Sequence, residues 1–500
     1  MPLHAGEEGA RKQQTTTTTG RGSTNRADRA LAPKRTRPIL GAASPAGRVY
    51  ARAVQLAARA FLLGLAFSSL VASPAAAGNE DEFFLGNRAA MTAGAVTANV
   101  SDGSAAFHNP AGLASADRDS IDVSGSVYCV RLYHASRFLG VDGGPSKDAS
   151  VSEFLVIPTE IAFLRRLSEG ISLGLGYFVP RSSDFVLREN LDVSDASSGN
   201  SSFGLNLRQS RSDYLLIAAL GMRVTPAFRL GFGASAALEN QVDAAALFGS
   251  VSRGTDARKS LQSDEFSTRW SVGMELSLGA QLEVTPDLTL GLAFRSPRLR
   301  VWQSVDGRNN TSAASVEPGI EPMLLTASSP VLPDGSTLAF VRSGRYIAGM
   351  ALRLGRGTLK VDVDVQPGLR LPNAGVDRRF TLNGRAGYTY ELTPHLALGA
   401  GIFSDRATEP QDFSLVGARG DFYGGSLGLE INNLHRLAPG EVSQSLQLST
   451  VFAFRYATSA GTTTKLRAHP DEQVPLLFEE AHGSIAVHEM ALHVGSALYF

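Results

Sequence analysis

V-T-P-D-L-T-L-G-L-A-F, residues 284–294, reads as a tight turn followed by a strand. Pro286 sits in the turn, where its missing N–H costs no ladder bond. Beyond Asp287, Leu288, Leu290, Leu292 and Phe294 fall on one face, and Thr289, Gly291 and Ala293 on the other. Period two over seven residues is a strand pattern. The same pattern recurs as SEGISLGLGYF at 168–178, VTPAFRLGFGA at 224–234 and LTPHLALGAGIF at 392–403. In the last of these, Leu396, Leu398, Ala400 and Ile402 oppose Ala397, Gly399 and Gly401. One face is bulky and apolar. The other is small, which leaves a crowded interior room to pack.

Extending the pattern outward predicts fourteen strands, near 120–134, 151–166, 170–180, 205–223, 227–243, 264–284, 287–303, 337–354, 358–369, 378–392, 395–405, 418–432, 444–458 and 484–500. The connections alternate. Tight turns are expected at 167–169, 224–226, 285–286, 355–357 and 393–394, with a wider one at 433–443. Long polar loops are expected at 135–150, 181–204, 244–263, 304–336, 370–377, 406–417 and 459–483. A soluble sandwich has no reason to gather its long loops at one end, whereas an outer-membrane barrel does. No stretch after residue 77 reaches eighteen apolar residues, so a membrane role requires strands, not a helix. The expected fold is an all-β transmembrane antiparallel barrel of about fourteen strands, residues 120–500, in a Gram-negative type outer membrane. Phe500 closes an alternating strand behind Leu498, Ser496, Val494, Leu492 and Met490, with Ser496 the one polar step. That ending resembles the signal that such barrels present to their assembly machinery.

The 500 residues carry 47 basic and 47 acidic side chains, but the balance is uneven. Residues 1–77 take eleven of the basic residues and three of the acidic ones, leaving 36 against 44. A body that acidic repels phosphate and excludes a nucleic-acid partner. One cysteine, Cys129, excludes a disulfide framework and multi-cysteine metal sites, and reads as a small packing residue. AFLLGLAFSSLVA at 60–72 follows Arg52 and Arg59 and precedes Ala75 and Ala77. A basic start, a short apolar run and an A-x-A ending make 49–77 a secretory signal peptide, cleaved after Ala77. Residues 1–48 read as a disordered basic arm or a miscalled start, with the second preferred.

The segment 78–119 is rich in Ala and Gly and holds no long strand. Its centre, TAGAVTANVSDGSAAFHNPAGLA at 92–114, resembles the N-terminal hatch of the FadL/TodX family of outer-membrane long-chain fatty acid and hydrocarbon transporters. The family's G-G-A-x-x-A stretch matches Ala93 through Ala98, its acidic pair Ser101-Asp102, and its A-x-x-x-N-P-A-G-L the run from Ala105 to Leu113. Ala93 stands where the family has glycine, and Ser101 where it has an acid. LGLAFRSP at 290–297 is similar to the family's G-L-x-Y-R-S-P strand, with Phe294 in the Tyr place. The resemblance implies that 78–119 plugs the lumen and that Gly94, Asp102, Asn109, Pro110, Ala111 and Gly112 form and gate the plug. It also implies passive uptake of fatty acids or other hydrophobic small molecules by a monomer without cofactor or metal, with sideways exit through a gap in the wall. Phe83, Phe84, Phe107, Phe185, Leu187 and Leu324 are candidate ligand contacts, the last three on the loops 181–204 and 304–336.

Catalytic readings fail. Gly424-Gly425-Ser426-Leu427-Gly428 matches G-x-S-x-G but lies within an alternating strand, not at a strand–helix elbow. His488 and His493 are five apart and fall on opposite faces of a strand. Arg165 and Arg166, before a turn, suit lipid headgroups, and Asp362, Asp364 and Arg370 are candidates for the lumen. The rival functions are a water-filled general porin and an outer-membrane lipase. The lipase needs a Ser/His pair at one depth, which no pair of strands supplies.

Overall fold

The computed structural model describes residues 82–500, apart from 142–143, 196–198, 254–256, 317–322, 331–337, 373–375, 409–418, 437–444 and 470–476. The basic arm, the signal peptide and the first residues of the plug lie outside the described residues. Nineteen strands are described. Fourteen staves close a barrel: β1 (Ser120–Val141), β2 (Ser146–Ser168), β3 (Ile171–Asp195), β4 (Gly199–Thr225), β5 (Phe228–Arg253), β6 (Ala257–Thr285), then β7 (Leu288–Arg295) continued by β8 (Arg298–Val316). The eighth stave is β10 (Ala339–Arg342) with β11 (Arg345–Leu354), followed by β12 (Gly357–Gln366), β15 (Thr381–Thr393), β16 (Leu396–Asp405), β17 (Arg419–Arg436), β18 (Ser445–His469) and β19 (Leu477–Tyr499). Closure is antiparallel, with Ser120 opposite Tyr499 and Ile121 opposite Leu498. β9 (Met323–Pro330) extends the sheet beside β8, and β13 (Leu369–Leu371) pairs with β14 (Val376–Arg378) in a small separate hairpin.

The predicted faces are the observed ones. Leu276, Leu292, Ile402 and Leu427 point outward and are 61–67% exposed, so the outer surface is a continuous apolar band of the kind hydrocarbon covers. The chain's two tryptophans, Trp270 and Trp302, sit on the outer face of neighbouring strands, as an interfacial aromatic belt requires. Cys129 is buried beside Ile157 and Ala491. His488 turns outward to the Tyr456 hydroxyl at 3.0 Å, while His493 is buried near Asn87 on the inner face.

One expectation is corrected. Much of the predicted loops 135–150, 181–204, 244–263 and 304–336 is strand: β3 pairs with β4 out to Asp195 opposite Gly199, and β5 with β6 out to Arg253 opposite Ala257. The prediction equated strand with apolar alternation. Beyond the bilayer neither face needs an apolar period, yet the backbone ladder continues. β4 to β6 run 26–29 residues, whereas β11, β12 and β16 run 10, about what a bilayer crossing takes. One side of the barrel rises well above the other, and its inner face gathers a second hydrophobic core from Phe138, Leu187, Phe203, Leu205, Leu466 and Ile485. Arg370 is also corrected: it lies in the small hairpin with an exposed side chain near Asp377, not in the lumen.

The wall is not closed at every height. β2 and β3 pair only from Glu160 opposite Phe178 down to Ser168 opposite Ile171. Above that, β2 pairs with β1 and β3 with β4. Pro158 and Pro180 stand at this fork, each lacking the N–H a ladder would need.

Residues 82–116 lie inside the barrel, almost wholly buried. They form two short helices, α1 (Asn87–Met91) and α2 (Ala105–His108), and a 3₁₀ turn over Pro110–Ser115. The inward glycines are what admit them. A Cβ at Gly231 would stand 2.2 Å from the Pro110 carbonyl carbon, one at Gly291 2.5 Å from the Thr97 oxygen, and one at Gly401 2.5 Å from the Thr92 carbonyl carbon. These are backbone atoms and cannot swing aside. Gly231→Ala is therefore expected to loosen the inner segment by about 1–3 kcal/mol while leaving the barrel assembled. Hydrogen exchange over 107–114 should quicken while the heat-modifiable barrel band stays unchanged.

Candidate functional site

The N-P-A-G-L run is a hydrogen-bonded turn against the wall. Asn109 is extended, its Oδ1 accepts from the Ala111 N–H at 3.2 Å, and Pro110 opens the 3₁₀ turn, where a missing N–H is harmless. The Asn109 amide donates to the Thr97 carbonyl at 2.8 Å and to the Ala280 carbonyl of β6 at 3.2 Å. One side chain thus ties its own turn, a second stretch of the plug and the wall. Ala111 and Gly112 are fully enclosed, and a Cβ at Gly112 would meet the Val100 oxygen at 2.3 Å. Gly94 is left-handed, with φ of 83°, and so is Ala93, with φ of 53°. A backbone that glycine adopts freely costs alanine roughly 1 kcal/mol. Asp102 accepts from the Ser104 N–H at 3.1 Å, holding the turn into α2.

The wall supplies acceptors to the plug backbone, and most of these went unread in the sequence. Asp362 Oδ2 accepts from the Val96 and Thr97 N–H groups at 2.9 and 3.0 Å and from the Thr97 hydroxyl at 2.8 Å. Asp122 accepts from the Gly103 N–H at 2.8 Å, and Ser426 Oγ from the Ala93 N–H at 2.9 Å. The R-S-P sequence has a double role. Arg295 reaches inward to the Phe107 carbonyl at 2.7 Å and stacks 4.0 Å from its ring. Ser296 Oγ accepts from the Leu276 N–H at 2.9 Å where Pro297 interrupts the stave. Asp364 is inward too, paired with Arg345 at 2.7 Å.

The plug begins at the fork in the wall. The Pro180 carbonyl accepts from the Glu82 and Phe83 N–H groups at 2.8 and 3.3 Å. The Glu82 carboxylate takes Arg131 Nη2 and Arg181 Nε, each at 3.0 Å. Arg131 also binds Glu489 at 2.7 Å and Glu153 at 3.5 Å, and Arg455 binds Glu489 at 3.3 Å. Three acids and three arginines meet here with little access to water. They stand on the plug and on strands β18, β19, β1, β2 and β3, which become neighbours only through barrel closure, so no local signal in the chain marks them. A buried pair of this kind strongly resists loss of one partner.

Directly above lies a small, half-open apolar groove, with a cavity volume of about 20 Å³, lined by Tyr133, Ala135, Phe138, Ala149, Val151, Phe185, Leu187, Leu207, Thr463 and Ile485. It spans the part of the wall where β2 and β3 no longer pair. Of the candidate ligand residues, Phe185 and Leu187 line it. Phe83 packs on Cys129 and Val179, Phe84 sits edge-on to Phe403 at 5.3 Å, and Phe107 lies 5.5 Å from Phe178. These three are plug packing. Leu324 is opposite Ala314 on the outer face of the β8–β9 extension and is 70% exposed, away from the groove.

No family model matches the chain. A Neisseria meningitidis serogroup B protein, named provisionally as an outer membrane protein, is 31% identical over 114 residues, which cover 21% of this chain and 24% of that relative. The chain thus aligns with about a quarter of the length of that relative. The crystal structure of a Pseudomonas aeruginosa FadL homologue superposes with a TM-score of 0.52 at 14% identity, covering 84% of this chain and 99% of that one. The Ralstonia pickettii toluene transporter TbuX gives 0.46 at 12%, covering 83% and 98%. The first likeness shows that this chain has the FadL-type fold.

Asn109→Ala leaves the Thr97 and Ala280 carbonyls short of a buried donor, at a cost of about 1–3 kcal/mol. The expected outcome is faster proteolysis or exchange within 93–112 in a barrel that still assembles. Unchanged protection of that segment would deny Asn109 its tying role.

Proposed function

We propose that this chain is an outer-membrane channel for hydrophobic compounds, with 78–119 as its hatch. The observation that carries the reading is the apolar groove standing in a fork of the barrel wall immediately above the first residues of the plug. A polysaccharide-coated leaflet holds back apolar solutes. A groove lined by Phe185, Leu187, Leu207 and Ile485 captures them by burying apolar surface. Residues 82–116 occupy the lumen, while the separation of β2 from β3 offers a way sideways into the bilayer. Movement of the hatch start at Glu82 and Phe83, which now bond the Pro180 carbonyl, would widen that route. The FadL-type fold and the Neisseria relative support the outer-membrane setting.

A general porin is disfavoured by the buried, tightly bonded 82–116 segment. In planar bilayers the intact protein should pass almost no ion current, and removal of 82–116 should open it by more than tenfold. Equal currents would defeat the hatch reading and favour the porin. In cells, Leu187→Asp places a charge in the groove, and uptake of radiolabelled hydrophobic compounds should fall several-fold at equal barrel levels. Unchanged uptake would remove the groove from the route.

Phe500 is proposed as the assembly signal. Its N–H bonds the Asp119 carbonyl at 3.0 Å, and the Asp119 carboxylate takes the Arg166 N–H at 2.7 Å, near the exposed Arg165. Deleting Phe500 should lower the amount of heat-modifiable barrel without lowering synthesis or export. Normal barrel levels would remove that role.

A further inference from the structure

The strands that line the groove are apolar inside, but β12 and β15, away from it, are not. Their inner faces carry Asp364, Gln366, Thr381 and Asn383, each only 1–3% exposed. The ladder sets Asp364 directly opposite Asn383 and Gln366 directly opposite Thr381, which makes two neighbouring rungs of one inward patch. Two residues before Asp364 on the same strand, Asp362 holds the plug backbone at Val96 and Thr97. The tight turn before β12 marks the periplasmic end of that strand, so the patch stands on the outer side of the plug.

Each of the four keeps a buried polar atom that no described residue meets: Asp364 Oδ1, Gln366 Oε1, Thr381 Oγ1 and Asn383 Nδ2. Two of them are held in place by their other atoms. Arg345 Nε donates to Asp364 Oδ2 at 2.7 Å, and the Arg406 N–H donates to Asn383 Oδ1 at 2.7 Å. The second bond orients the Asn383 amide, so that its nitrogen is the atom turned to the patch. Buried polar groups in folded proteins are paired with few exceptions, and four adjoining exceptions on two rungs point to a ligand. A wall serving apolar solutes alone is better made of Val or Leu, which cost nothing to bury.

The four atoms define what they would bind. The Asp364 charge is met by Arg345, and Gln366, Thr381 and Asn383 are neutral, so the patch favours a neutral ligand over an ion. Each rung offers one acceptor and one donor: Asp364 Oδ1 with Asn383 Nδ2, and Gln366 Oε1 with the Thr381 hydroxyl. A hydroxyl group, one donor with two lone pairs, satisfies such a rung by itself. Rungs two residues apart lie roughly 7 Å from each other along a strand. One molecule serves both if it carries hydroxyls on separated carbons. We propose that this patch of β12 and β15 is a binding site for a small neutral polyhydroxylated molecule, a sugar or a polyol. The site is separate from the apolar groove and independent of what the groove carries.

The test is equilibrium dialysis of the purified full chain, in a detergent without a sugar head group, against radiolabelled glucose, sorbitol, cyclohexanol and calcium. Glucose or sorbitol should bind saturably, and cyclohexanol, with its single hydroxyl, about tenfold more weakly. The double variant Gln366→Met, Thr381→Val keeps the volume of one rung and removes its polar atoms. With folding checked by heat-modifiability, it should bind the polyol about tenfold more weakly than the wild type. Added polyol should raise the melting temperature of the wild type and leave that of the double variant unchanged. Thr381→Ser, which keeps the hydroxyl, should retain binding. If neither glucose nor sorbitol binds the wild type, the four atoms are met by water alone and the site is refuted. Calcium bound in place of both polyols refutes it, as does polyol binding that the folded double variant keeps in full.

Discussion

A buried segment with almost no secondary structure must still satisfy its backbone, and here the barrel wall does most of that work. Residues 82–116 hold two helices of five and four residues and a short 3₁₀ turn, which leaves many N–H groups without an internal acceptor. Asp362, Asp122, Ser426 and the Pro180 carbonyl each take one or more of them. Such bonds require the plug backbone to lie within about 3 Å of strand side chains. Inward glycines at 231, 279, 291, 387 and 401 make that approach possible. The small inner face and the acceptor side chains are two parts of one fit.

That fit explains which parts were legible in the sequence. The fourteen staves were visible because lipid demands an apolar residue at every second position, and Leu288–Leu290–Leu292 or Leu396–Leu398 answer that demand locally. The glycines opposite them marked a crowded interior. The N-P-A-G-L turn was visible because Asn and Pro act on their own backbone. The upper halves of β3 to β6 were hidden, since their ladders run outside the membrane where no apolar period is enforced. The Glu82–Arg131–Glu489 cluster was hidden for a different reason: its members are up to 407 positions apart and meet only through barrel closure between β1 and β19. Asp362 read as an ordinary lumen acid, because nothing in V-D-V-D names the Val96 and Thr97 amides as its partners.

The wall carries a second arginine cluster that makes a useful contrast. Arg298 is buried between Glu239 and Glu275, and Arg342 pairs with Asp213. Every member stands on β4, β5, β6, β8 or β10, so the cluster binds strand to strand around the interrupted seventh and eighth staves. Losing any member would leave a buried charge uncompensated, which typically costs several kcal/mol. This cluster braces. The Arg131 cluster has the same chemistry and a different membership, because one of its acids belongs to the plug.

Membership decides what each cluster can do. A network whose groups are all fixed to paired strands can only be whole or broken. One that includes a group on the inner segment also ties that segment to the wall. The Arg131 cluster does so where Pro158 and Pro180 part β2 from β3 and where the groove opens. The same missing N–H groups that end the ladder also leave the Pro180 carbonyl available to the Glu82 and Phe83 amides. The break in the β2–β3 ladder and the attachment of the plug therefore share one cause, two prolines on neighbouring strands.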